Sequence, residues 1–232
     1  MPTNNKELPT ITTDQKPWYL GPYFILSAVL MVVTLAFPLV GGILSAYALK
    51  ITLSLLLFGA LYAVVAEGRI FRILGALLLP LLAGNWLFDP ADHTLWAQAT
   101  SAVTILFFAT TTIAIFASII KATKVTADII FGAVAVYMLV GVIVAILFLL
   151  LQNISPGGAV TNVDAVGQDP FSELLYFSFM TLTSVGYGDF APVSPAARML
   201  ATATGVFGQL YLAILIAKLV GIYTAQTLRE TE

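Results

Sequence analysis

The chain has 232 residues, 59% apolar and 9% charged, and its ten Lys and Arg against twelve Asp and Glu leave a net charge of −2. Soluble domains carry about 25% charged residues and keep their apolar runs short; here runs longer than about 18 residues recur, which excludes a soluble globular domain and indicates an α-helical membrane protein. No basic cluster is dense enough to hold a nucleic-acid backbone, and with no Cys and one His, disulfides, thiolate chemistry and Cys/His metal clusters are excluded as well.

Residues 1–16 are polar, and 1–19 form an expected cytoplasmic N-terminal segment without a cleavage pattern. Apolar runs near 20–40, 43–66, 69–88 and 96–120 each have the length to cross about 30 Å of hydrocarbon as a helix. Together, residues 20–120 read as a four-helix peripheral membrane domain. His93 lies in DPADHTLW, a polar link without catalytic company, and reads as a surface loop histidine. A linker at 121–126 leads to a fifth run, 127–151, and Pro156-Gly157-Gly158 opens a loop of about 20 residues. FSELLYFSFMTL, 171–182, is too short to span; a last long run covers 197–222, and a tail of 223–232 follows.

Basic residues set the orientation. With both termini inside, Lys6, Lys16, Arg69, Arg72, Lys121, Lys124, Lys218 and Arg229 fall on the cytoplasmic side, and Arg198 alone breaks the pattern. The short apolar helix between two full spans reads as re-entrant from outside. Residues 183–189 must then return as non-helical backbone, which is tolerated at membrane depth only against protein or a watery cavity. Gly186 and Gly188 alternate with Val185 and Tyr187, a spacing that permits unusual backbone angles at the glycines.

TLTSVGYGD, Thr181 to Asp189, resembles the signature of the potassium channel family, and the resemblance extends over about 127–222. It implies an all-α membrane protein with six transmembrane helices, a re-entrant pore helix at 171–182 and a selectivity-filter strand at 184–188 between the fifth and sixth, assembled as a tetrameric channel. Four identical subunits around an axis are implied because one filter cannot enclose an ion. The resemblance assigns K+ coordination to Ser184, Val185, Gly186 and Tyr187, with Ser184 standing where the family usually has Thr. It assigns filter support to Thr183, Gly188, Asp189, Tyr176 and Met180. Met180 replaces a Glu that some relatives pair with the rim aspartate, so Tyr176 becomes the candidate partner of Asp189. In the last run Gly208 matches a hinge position, with close helix packing as the alternative, and Leu212 and Ile216 are candidates for a cytoplasmic gate.

The fourth run carries no Lys or Arg between Ala97 and Ile120, so a conventional voltage sensor is not expected there. No ligand module is expected in the tail of about ten residues. The expected function is passive, potassium-selective conduction, and the alternative is a weakly selective monovalent cation channel on the same scaffold. The implied partners are K+, three identical subunits and membrane lipid; no cofactor beyond the permeant ion is implied, and the expected location is a prokaryotic plasma membrane. A transporter would need inverted repeats, which are not visible, and a protease using Ser184 as nucleophile lacks a base.

Overall fold

The computed structural model describes residues 21–40, 54, 94–163 and 170–230. These form α1 (Pro22–Val40), α2 (Thr94–Lys121), α3 (Ala127–Ile154), α4 (Pro170–Leu182) and α5 (Pro195–Glu230). The expected runs at 43–66 and 69–88, the segment 1–19 and His93 lie outside the described residues.

The expected architecture of six transmembrane helices with a filter strand is corrected. Among the described residues there are five helices and no β-strand, and three of the helices are long and apolar enough to cross a membrane: 101–121, 127–154 and 195–225. α1 has 19 residues, all of them uncharged, from Pro22 to Val40. At 1.5 Å per residue that is about 28 Å of helix, close to the thickness of a 30 Å hydrocarbon layer. Residues 184–188 do not form a strand because Ser184, Gly186 and Gly188 have φ of 58°, 54° and 83°, left-handed values incompatible with a pleated ladder. The only pairing near them is an isolated antiparallel bridge, Val160 with Pro192, among the described residues.

Local chemistry sets the helix ends. Thr126, extended at φ −114° and ψ 160°, caps α3 by accepting the Ile129 N–H on its side chain. Pro22, Pro170 and Pro195 open their helices, where a missing N–H costs nothing. Ser194 Oγ accepts the Ala197 N–H at 3.2 Å and caps α5. The cap of α1 comes from another helix: Asp128, in the first turn of α3, accepts the Tyr23 N–H at 3.2 Å. Lys218 of α5 donates to the Ile120 carbonyl in the last turn of α2, where orphan carbonyls gather.

α3 is the central element and packs against each of the other four helices. Its buried face runs from Gly132 to Phe148 and meets Leu26 and Leu30 of α1, Phe108 and Ile115 of α2, and Phe171 and Leu175 of α4. Between apolar helices in lipid, such contacts depend on close packing rather than on exclusion of water. Gly141 illustrates this: a Cβ there would stand 2.5 Å from Cζ of Phe179, so the bare backbone is what admits the ring. Beside it, buried Ser178 donates to the Gly141 carbonyl at 2.9 Å and ties α4 to α3.

Candidate functional site

α4 has 13 residues, about 20 Å of helix, and ends inside the molecule against α3 and α5. Its last turn closes as a Schellman motif: the Val185 N–H reaches the Met180 carbonyl and the Ser184 N–H the Thr181 carbonyl, both at 3.0 Å, with Ser184 in the left-handed position usually given to Gly. The Gly186 N–H shares the Met180 carbonyl at 3.3 Å. Met180 therefore acts through its backbone, holding the start of the non-helical segment with one oxygen. Thr183 turns its hydroxyl back onto the Phe179 carbonyl at 2.7 Å and is satisfied within its own chain.

Two helices grip the same end of α4. Tyr137 of α3 donates its hydroxyl to the Leu182 carbonyl at 3.1 Å. From the other side Gly208 of α5 presses its backbone on that carbonyl so closely that any Cβ would overlap the oxygen and stand 3.0 Å from the carbonyl carbon. Close packing accounts for a glycine at 208 without a hinge. One residue on, Gln209 donates from Nε2 to Ser184 Oγ at 3.0 Å. Below it Tyr211 anchors α5 to α3, its hydroxyl donating to the Ala133 carbonyl at 2.7 Å and its ring packed on Phe207 and Tyr137.

The other end of the segment is held by the loop after α3. Gln152 Oε1 accepts the N–H groups of Ala159 and Val160 at 2.7 and 2.9 Å, folding the loop back on the helix end. Thr161 then exchanges hydrogen bonds with Ala191, and the Val193 N–H reaches the Ala159 carbonyl at 2.8 Å. Asn162, at φ 63°, donates to the Asp189 carbonyl at 2.6 Å. Tyr176 of α4 donates its hydroxyl to Asp189 Oδ2 at 2.9 Å, which joins the two residues considered as partners from the sequence. Partial burial, and then the Asp189 carboxylate it donates to, push the Tyr176 phenol above its ordinary value, so it remains the donor.

Between these two anchors Val185 and Tyr187 are 50% and 74% exposed, Tyr187 the less covered of the two. Ser184, Gly186 and Gly188 are exposed as well. Leu212 and Ile216 lie exposed on α5, well removed in sequence from the segment 183–189. Gln209, Tyr137, Gln152 and Asn162 were not singled out by the sequence. For Gln209 a signal existed: it is the single amide in the apolar run Gly205 to Ala217.

Among the described residues, no group of three or more His, Cys, Asp or Glu is placed to hold a metal ion. Residues 133–225, from early α3 through most of α5, match the profile of a family described as "Ion channel", a family of conductors and not of catalysts. No curated protein matches the chain. The protein is thus a membrane protein with several helices able to span a bilayer, related to ion channels over that segment.

Proposed function

We propose that the chain is the subunit of a potassium-selective channel that conducts K+ passively down its electrochemical gradient as a homotetramer. The observation that carries this reading is the segment 183–189: exposed, non-helical, tied at one end by the Met180 carbonyl and at the other by Asn162 and Tyr176, in a molecule otherwise built of apolar helices. Backbone of this kind at membrane depth needs a protein or water-filled lining. With TLTSVGYGD as its sequence, it serves as the ion path when four copies converge, the Ser184 hydroxyl and the carbonyls of Ser184, Val185, Gly186 and Tyr187 replacing the water of a dehydrated ion. The neighbouring subunits then cover the part of Val185 and Tyr187 that their own chain leaves exposed. Asp189 marks the outer rim, and Lys121 and Lys218 mark the cytoplasmic side, in keeping with basic residues facing inward.

Charge in the described part of α2 is confined to Lys121 in its last turn, so gating does not run through that helix as a charged voltage sensor. Leu212 and Ile216 form the cytoplasmic constriction, and lipid covers the exposed apolar side chains of α2.

The test is flux from potassium-loaded liposomes containing the purified protein, with voltage, pH and tension varied separately. K+ flux that exceeds Na+ flux by an order of magnitude or more is expected, and no K+ preference under any condition removes the reading. A reversal potential equal in the two ions would instead support a weakly selective cation channel, the alternative that Ser184 and Met180 leave open.

A further inference from the structure

We propose that Gln209 is the positioning residue for the innermost cation position of the path, acting through Ser184; the inference rests on the channel reading above. Gln209 is the single amide in the apolar run of α5, and although exposed it donates to one specific group, Ser184 Oγ, at 3.0 Å. The backbone brings the two together. Gly208 lets α5 lie directly on the Leu182 carbonyl, so the closest approach of the two helices falls one residue before Gln209 and two before Ser184.

The chemistry concerns the freedom of a hydroxyl. Thr is stiff at χ1 because two heavy atoms branch from Cβ, whereas Ser has only its oxygen there and rotates more readily. Ser184 is moreover left-handed, at φ 58°, in the C-terminal turn of α4, where the backbone is held but the side chain is not. A serine oxygen has two acceptor sites and one proton. The Gln209 N–H takes one acceptor site and thereby fixes χ1, leaving the second for a cation. Gln209 thus supplies from α5 the restraint that a γ-methyl would supply from within the side chain, and the Ser–Gln pair replaces a lone Thr.

The experiment is the Na+/K+ permeability ratio, from reversal potentials in liposome-reconstituted full-length protein, for wild type, Q209M, S184T and S184T/Q209M. Met matches Gln in length without donating a hydrogen bond. Q209M is expected to raise relative Na+ permeability by about threefold to tenfold, the range that one hydrogen bond spans. In the S184T background the same substitution is expected to leave the ratio within about twofold of wild type, since Thr carries its own restraint. If Q209M does not assemble, Gln209→Ser, polar but too short to reach Ser184, takes its place with the same expectation. An unchanged ratio in the single variant, or a loss that S184T does not rescue, overturns the role of Gln209. Absence of K+ preference in the wild type itself would remove the channel reading instead.

Discussion

At Gly208 a single absent methyl group sets the distance between α4 and α5. Gly208→Ala forces the Leu182 carbonyl aside, and overpacking of that kind costs about 1–3 kcal/mol. The expected outcome is a lowered thermal midpoint of the purified protein. A variant that is equally stable but no longer opens would favour the hinge over the packing role. At the rim, Tyr176→Phe keeps the ring and removes the hydroxyl that holds Asp189. Faster decline of current during sustained conduction is expected, and an unchanged time course would show that the contact has no part in keeping the path open. The sign of the pH dependence follows from the raised phenol. Its neutral form is favoured by the fold, so this contribution is fully present below the ordinary tyrosine value of about 10 and is lost as pH rises through the higher folded value. Between pH 6 and 9, roughly, wild type and Tyr176→Phe should therefore differ by a constant factor. The Tyr176–Asp189 pairing was open to inference because Met180 left the aspartate without the acid that some potassium channels place there. Gln209 stood out as a lone amide, but its pairing with Ser184, like that of Asn162 with Asp189, was not open to inference, because these partners lie 25 and 27 residues away and no local pattern encodes such a contact.

Among the elements, legibility followed hydropathy. The runs that read as spans at 96–120, 127–151 and 197–222 lie within α2, α3 and α5, since long apolar stretches with few charges, and with Thr126 and Pro195 before two of them, leave little choice but helix. The run at 20–40 likewise falls on α1, Pro22–Val40. The filter strand came from the family resemblance and is not a ladder: Gly186 and Gly188 take the unusual angles their spacing permits, Ser184 joins them, and the N–H groups of Val185 and Gly186 turn back to α4. No sequence pattern announced that the N-terminus of α1 would be capped from α3. Asp128→Ala removes that cap and is expected to cost about 1 kcal/mol, with Asp128→Asn costing less because the amide oxygen still accepts. Hydrogen exchange of the Tyr23 amide is the direct reading, and equal protection in wild type and Asp128→Ala would show that the carboxylate is not what holds it.

On the scale of the whole molecule the helices differ sharply in how much of them is covered. More than half of the apolar window of α3 is buried, against about a tenth of that of α5. A helix with Phe207, Leu210, Ile214 and Val220 all exposed is expected to meet further copies of itself. Mass measurement in mild detergent should give a four-chain particle, and a stable monomer that still conducts would refute the assembly. The two ends of the segment 183–189 differ in ownership as well. Its outer end is held inside one chain, by Gln152, Thr161, Asn162 and Tyr176, whereas Tyr187 is left mostly exposed there. In cells making both wild-type and altered subunits, damage at Asn162 should therefore be recessive, each chain bearing only its own fault. Damage at Tyr187 should be dominant, because every altered chain also withdraws support from a healthy neighbour.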